Sequence, residues 1–251
     1  MRRKWRKIAF ALFLILLRLV APKLPFYRSA VNSHAGKIVI IDPGHGGIDP
    51  GAKSKTGILE KDLVLEIAKK LETRLNSYSI YTVLTRTEDT DLAPEVKGPL
   101  ITRKREDLNR RAKMAQDHGA DLLVSIHANS FSQSRWSGAQ TFYYPGDDLG
   151  KVLAISIQDR LVQDLGPNNR KAKAGDFRIL RESKVPSAMV EVGFLSNPKE
   201  AELLSDPLYQ DRLADAIAMG IVEYFRSQES AKVSAERATV EVPVLPEPGP
   251  D

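Results

Sequence analysis

Cysteine is absent from all 251 residues, which excludes a disulfide framework and any zinc site built on thiolates. A transition metal in this chain would have to be held by histidine, aspartate or glutamate, and four histidines are available. A surplus of positive charge is also missing once the chain is divided. The formal net charge is +5, but residues 1–35 hold eight Lys/Arg and no acid, leaving 29 basic against 32 acidic side chains in the remainder. The basic balance belongs to the amino terminus, and a polyanion-binding surface, with nucleic acid as partner, loses its main support. Nor is there an apolar run of the ~20 residues that cross a bilayer comfortably. No second core is apparent, and the length suits one sizeable domain.

The ends of the chain read differently from its middle. Arg2-Arg3-Lys4-Trp5-Arg6-Lys7 is followed by Ile8 to Leu17 without a polar residue, then Arg18-Leu19-Val20-Ala21. This is the charged region and apolar region of an export signal. No small-x-small cleavage site lies close behind, since Ser33-His34-Ala35 is distant. Residues 1–35 are therefore expected to be an export leader and linker that contacts the membrane, with removal or retention as an anchor left open. At the other end, residues 228–251 are expected to be a disordered tail, because Val242-Pro243-Val244-Leu245-Pro246-Glu247-Pro248-Gly249-Pro250 can neither pack nor ladder.

Between these ends, residues 36–227 alternate strand and helix patterns. Ile38-Val39-Ile40-Ile41 ends in Asp42-Pro43-Gly44-His45-Gly46-Gly47, a strand buried on both faces that delivers a histidine at its carboxyl end. Gly57-Ile58-Leu59-Glu60 leads into a helix of about eighteen residues with Leu63, Ile67, Leu71 and Leu75 on one face. Tyr81 to Arg86 is the next strand, then an irregular polar stretch, then a helix from Arg103 to His118. His118 reads as a helix-end residue. Asp121 to Asn129 repeats the opening pattern and delivers His127. Gly138 to Tyr144 is a strand, Leu149 to Leu165 a helix, and Phe177 to Leu180 a short strand. Pro186 to Asn197 is the last strand, carrying Glu191, before a short helix at Pro198 and a closing helix from Pro207 to Phe225. The expected fold is α/β: one domain whose mostly parallel, mixed central sheet is flanked by helices on both faces.

Two parallel strands each ending in a histidine is an arrangement that a core does not require. In open α/β sheets ligands bind at the carboxyl edge, and His45, His127 and Glu191 gather there with Glu60 entering from the first helix. Each has a plain alternative. His45 could be turn punctuation, Glu60 a first-turn carboxylate favoured by the helix dipole, and Glu191 a residue pointed at solvent by alternation. An acid inside an apolar run nevertheless needs a partner or a task. Two neutral imidazoles and a carboxylate suit a catalytic zinc, which lowers the pKa of water to about 7. A second acid is then wanted as proton carrier, and Glu191 fits that role. Amide hydrolysis is the natural use of such a site.

The motifs Asp42-Pro43-Gly44-His45-Gly46-Gly47, Gly57-Ile58-Leu59-Glu60-Lys61-Asp62, Leu84-Thr85-Arg86, Ser125-Ile126-His127-Ala128-Asn129 and Val190-Glu191-Val192-Gly193-Phe194-Leu195-Ser196-Asn197 together resemble the zinc-dependent N-acetylmuramoyl-L-alanine amidases of the type 3 amidase family. The resemblance implies that His45, Glu60 and His127 ligate one zinc ion and that Glu191 is the catalytic acid/base. It further implies that the substrate is peptidoglycan, cut between the lactyl carbonyl of N-acetylmuramic acid and L-alanine. Asn129 and Arg111 are added as substrate-binding candidates, Arg111 being equally readable as structural. Four segments, Asp89–Pro94, Arg103–Leu108, Trp136–Tyr144 and Arg170–Lys173, are similar to the sporulation subfamily, the germination-specific cortex amidases. That subfamily implies removal of stem peptides so that a deacetylase can then form muramic δ-lactam, action in the cell wall or forespore intermembrane space, and a sporulation activator protein as partner. The chain lacks both an appended wall-binding repeat and an insertion between Tyr144 and Phe177 that would occlude the zinc, so an open site is expected. Two rival classes stand beside this reading: a catalytically silent wall-binding or regulatory module, and another zinc peptidoglycan hydrolase such as a peptidase or deacetylase.

Overall fold

The computed structural model describes residues 34–166 and 168–239. The expected leader lies outside the described residues except for its last two positions, as does the end of the expected tail, 240–251. Strands β1 (Ile38–Pro43), β2 (Tyr81–Leu84), β3 (Leu122–Asn129), β4 (Gln140–Tyr143), β5 (Lys173–Ala174) and β6 (Ser187–Phe194) form one sheet in the order β2-β1-β3-β6-β4-β5. β2, β1, β3 and β6 run parallel, whereas β4 is antiparallel to β6.

Alternation along the central strands divides the core in two. Val39, Ile41, Val124, Ile126 and Val190 face a large cluster built with α1 (Glu60–Ser77), α3 (Asp148–Leu165) and α6 (Pro207–Thr239). Ile40, Leu123 and Met189 face a smaller one with Ala112 and Ala115 of α2 (Leu100–Asp117) and Ile179 and Leu180 of α4 (Arg178–Glu182). Helices on both faces explain why the parallel strands read as unbroken apolar runs. This is the α/β sheet expected from the sequence.

Local chemistry sets most helix ends. Glu60 and Asp62 lie in the first turn of α1 and Arg74 in its last, each complementing the helix dipole. Asp147 caps α3 by accepting from Gly150 N. Asn197 caps α5 (Pro198–Ser205), with proline in the first turn.

The structure corrects three boundaries. Phe177–Leu180 is not a strand: Arg178–Glu182 is helical, and the strand lies earlier, at Lys173–Ala174. Four residues, three of them apolar, are too few to distinguish the two by periodicity, and here the helix buries the adjacent Ile179 and Leu180 together. α2 begins directly after Pro99, ahead of the expected Arg103. The closing helix runs on to Thr239, so residues 228–239 of the expected tail are helical. The Ala, Glu, Lys, Arg and Gln of that extension are strong helix formers even without a core to pack on.

One polar group is sealed within the core at the end of β1. Asp42 and Arg111 are each 1% exposed. Asp42 accepts hydrogen bonds from Thr85 Oγ1 at 2.6 Å, Ser125 Oγ at 2.6 Å and Arg111 Nη1 at 2.9 Å. Burial pushes its carboxyl up, but Arg111 and the two hydroxyls outweigh that and hold it below the usual range. A depressed carboxylate contributes stability that is fully present above its unfolded pKa and lost as pH falls through the folded value. Asp42→Asn is expected to reduce the urea unfolding free energy at pH 7 by about 1–3 kcal/mol, because Arg111 loses one of its two carboxylate partners and keeps Asp107. The deficit should narrow as pH drops below the carboxylate range. A deficit that does not change with pH would show that the charge of Asp42 is not what stabilises the fold.

Candidate active site

β1 ends in a turn whose backbone needs outside support. Its carbonyls have left the ladder, and His45 has φ of 62°, a left-handed conformation costly for a side chain larger than glycine. Two guanidiniums supply the support. Arg86 donates from Nε to Pro43 O at 2.9 Å and from Nη2 to Gly44 O at 2.8 Å. Arg111 donates from Nη1 to Pro43 O at 2.8 Å and from Nη2 to His45 O at 2.6 Å, with Nε on Asp107 Oδ2 at 2.9 Å. Three successive carbonyls are thus held by two buried cations.

His127 stands on the neighbouring strand at the same edge, where Pro43 pairs with Ile126 and Gly44 N donates to Ile126 O at 3.0 Å. Its ring lies directly on Gly44: a Cβ there would sit 2.2 Å from His127 Cε1. Gly51 is similarly confined, between Glu60 Oε2 and His45 Cδ2. Glu60, the first residue of α1, places Oε1 3.1 Å from His45 Nε2 and 3.0 Å from His127 Nδ1. Ala128 N donates to Oε1 at 3.0 Å and Ala52 N to Oε2 at 2.7 Å. One side-chain atom from each of His45, Glu60 and His127 lies within 4.8 Å of the other two, a group that could hold a metal ion, and this is the one such His/Asp/Glu cluster among the described residues.

Glu191 is directly opposite His127 in the β3–β6 register, so both side chains share a face of the sheet. Its Oε2 is buried with no hydrogen-bond partner among the described residues. Burial pushes its carboxyl up to about 7, opposed by His127 and reinforced by Glu60. The electrostatics of Glu60 run the other way: burial is outweighed by the two imidazoles, and it stays ionised. Burial disfavours a charged His45, yet hydrogen bonds to Asp49 and Glu60 prevail and raise it to about 9. A cavity of about 200 Å³ opens beside the imidazoles, lined also by Leu108, Phe177, Ile179 and Met189.

The structure therefore brings His45, Glu60, His127 and Glu191 to one edge. It does not bring Arg111 to a substrate. With its side chain 1% exposed and its donors on Asp42, Asp107, Pro43 and His45, Arg111 serves the turn from behind, which corrects its candidacy as a substrate-binding residue. Asn129 lies at the edge but not among the residues lining the cavity; its Oδ1 accepts from Ser130 N and its carbonyl from Leu195 N. His118 ends α2 with Nδ1 against Met114 O at 2.9 Å, remote from the cluster. Three contributors carried no expectation. Asp49 Oδ2 is 3.0 Å from His45 Nδ1, Lys104 Nζ is 2.8 Å from Asp49 Oδ1, and Arg86 holds the turn. Asp49 lies four residues beyond His45 inside a turn, where spacing carries no periodic signal. Arg86 was visible only as part of a motif.

An α/β domain that presents two imidazoles and two carboxylates at one sheet edge, beside an open cavity, is the frame of a hydrolase. Residues 39–223 match the family model described as N-acetylmuramoyl-L-alanine amidase, and the chain belongs to that family of peptidoglycan-cutting enzymes. It is 41% identical over 235 residues to the germination-specific N-acetylmuramoyl-L-alanine amidase of Bacillus subtilis (strain 168), covering 90% of this chain and 97% of that protein. It is 37% identical to the amidase LytC of the same organism, over 78% of this chain and 37% of that longer protein. Among solved structures, the CwlD amidase from Clostridioides difficile in complex with the GerS lipoprotein superposes with a TM-score of 0.73 at 39% identity, covering 76% of this chain and 99% of that one.

Gly44 tests the construction of the edge. Gly44→Ala is expected to displace the His127 ring, seen as altered imidazole nitrogen shifts by NMR, and to lower amidase activity about a hundredfold, as an ångström-scale misplacement does. The thermal melting point should barely move. An unperturbed His127 would show that the close approach carries no consequence.

Proposed function

We propose that the chain is a zinc-dependent amidase that hydrolyses the bond between the lactyl carbonyl of N-acetylmuramic acid and L-alanine. The observation that carries this reading is Glu60 Oε1 held between two imidazole nitrogens at 3.0 and 3.1 Å, with the buried Oε2 of Glu191 left unpartnered nearby. Tetrahedral zinc with bonds of about 2.0–2.2 Å sets its ligands about 3.4 Å apart; Glu60 Oε1 stands close to that spacing from each imidazole nitrogen, and the three atoms together lie within 4.8 Å of one another. His45 through Nε2, His127 through Nδ1 and Glu60 through Oε1 would hold the ion. Such an ion, when bound, supplies Lewis acidity toward a carbonyl oxygen and toward water. Asp49 accepts from His45 Nδ1, which fixes the tautomer and turns Nε2 inward.

Glu191 is the proton carrier. A carboxyl poised near neutrality is about equally able to accept and to donate. Its Oε2 takes the proton of the attacking water and returns it to the departing alanine nitrogen, so that the leaving group is a neutral amine. Glu60 does not share that role, because its imidazole partners keep it ionised.

The biological setting follows the germination-specific relative, whose similarity extends over nearly all of both chains. The proposed task is removal of stem peptides during spore cortex maturation, followed by a deacetylase that forms muramic δ-lactam. The chain acts outside the cytoplasm, in the wall or forespore intermembrane space, delivered by its leader. No helix among the described residues is long and apolar enough to cross a membrane. A sporulation partner protein is proposed by analogy with the Clostridioides difficile amidase, which was solved in complex with a lipoprotein.

Dye release from labelled peptidoglycan should cease with a chelator and return with zinc, and mass spectrometry should find free stem peptides and peptide-free muramic acid. Peptide fragments cut internally, or deacetylated sugars, would identify a different hydrolase. Glu191→Ala is expected to keep zinc and lose about 10²–10⁴-fold in kcat, whereas His45→Ala should lose both zinc and turnover. Turnover unchanged in the Glu191 variant would remove that residue from the mechanism. For Asp49→Asn, a metal titration should show affinity about 10–100-fold weaker; equal affinity would make Asp49 incidental.

A further inference from the structure

Two of the segments that set this chain beside its subfamily meet in space. Arg170 donates from Nε to Ser137 O at 2.8 Å, across 33 residues of sequence, and from Nη1 to Gln140 Oε1 at 2.9 Å. Its guanidinium centre lies 5.9 Å from the Trp136 ring centroid and 4.7 Å from that of Phe194. Asn168 completes the joint, donating to Ala139 O at 2.7 Å and accepting from Arg170 N at 3.0 Å. Between the segments lies a groove of about 360 Å³ lined by Trp136, Ser137, Gly138, Asn168, Asn169 and Arg170. Glu200 holds its floor by accepting from Gly138 N at 2.7 Å.

The groove is hydrogen-bonded to the chain on one side and open to solvent on the other. Trp136 is 41% exposed, with the Arg135 guanidinium 5.2 Å from its ring centroid, and Phe131, which meets it edge-on at 6.4 Å, is 53% exposed. The exposed Asn169 lines the groove beside Arg170, which meets the protein through Nε and Nη1. None of these side chains belongs to the metal-ligating cluster. An exposed indole, an exposed carboxamide and a held guanidinium have the chemistry to receive a sugar ring. The ring's apolar C–H face packs on an aromatic, while hydroxyl and acetamido groups require both donors and acceptors.

Register places this groove beside the reaction. Gln140 is directly opposite Glu191 across β4 and β6, as Glu191 is opposite His127 across β6 and β3. Directly paired residues share a face, so His127, Glu191 and Gln140 form one row at strand spacings of about 4.8 Å. Arg170, hydrogen-bonded to Gln140, extends that row into the groove. We infer that the Trp136–Arg170 groove is a subsite for an N-acetylated hexosamine of the glycan strand, adjoining the muramoyl residue whose amide is cut. The inference rests on the amidase reading above and adds recognition of the polymer beyond the scissile bond.

Isothermal titration of the full chain with a peptide-free N-acetylglucosaminyl-N-acetylmuramic tetrasaccharide tests it directly. Trp136→Ala should weaken binding about tenfold, in the range expected when a binding aromatic is truncated. Trp136→Phe should restore most of it, and Asn169→Ala should weaken it with the melting point unchanged. In kinetics on wall polymer, Trp136→Ala should raise KM about tenfold at unchanged kcat. No binding by the unaltered chain, or binding indifferent to Trp136→Ala, overturns the subsite and leaves the groove to a protein partner. A parallel fall in kcat and melting point, not rescued by phenylalanine, overturns it in favour of structural support. If the unaltered enzyme releases no stem peptide from the polymer while the tetrasaccharide still binds through Trp136, the amidase reading fails and the sugar subsite stands.

Discussion

The grip of two buried guanidiniums on the backbone of one turn is the constraint on which the rest of this site depends. Pro43, Gly44 and His45 present carbonyls that no strand or helix can pair, and an unpaired buried carbonyl costs about 1–3 kcal/mol. His45 adds backbone strain on the order of 1–3 kcal/mol. Arg86 and Arg111 answer both, because the guanidinium offers five donors in a rigid fork and does not lose its charge. The charge of Arg111 is in turn balanced by Asp42 and Asp107. Remove this arrangement and His45 has no reason to face the sheet edge.

The sheet supplies the second half of the geometry. Parallel β1 and β3 end together, so His45 and His127 arrive side by side with ring centroids 4.9 Å apart. The antiparallel entry of β4 against β6 then adds Gln140 to the row of His127 and Glu191. A slip of one residue in either register would send those side chains to the opposite face. The apolar runs that bury both faces of β3 and β6 therefore do more than stabilise: they hold the chemistry in line.

Charge is distributed so that neighbouring acids take different parts. Glu60 has two imidazoles and two backbone amides around it, and every one favours the ionised form. Glu191, on β6, has burial without a hydrogen bond to its Oε2, and its proton is held more firmly. Two carboxylates pushed apart by their surroundings are the usual mark of a divided acid–base task. Asp49, wedged between His45 and Lys104, shapes the imidazole from the solvent side without joining either role.

Much of this was legible along the chain. Apolar runs ending in histidine identified β1 and β3, the 3.6-residue stripe identified α1 to within its ends, and the acid within the last strand marked Glu191 as anomalous. These are local signals, because burial on both faces and helical periodicity are written in consecutive residues. What the chain alone left open was every relation between distant segments: that Arg111 turns inward to the turn instead of outward to a substrate, that Asp49 partners His45, that Phe177–Leu180 yields to a helix, and that Trp136 and Arg170 share a groove. Those outcomes depend on which side chains meet once the sheet has closed its register, and such meetings have no period in the sequence from which to be read.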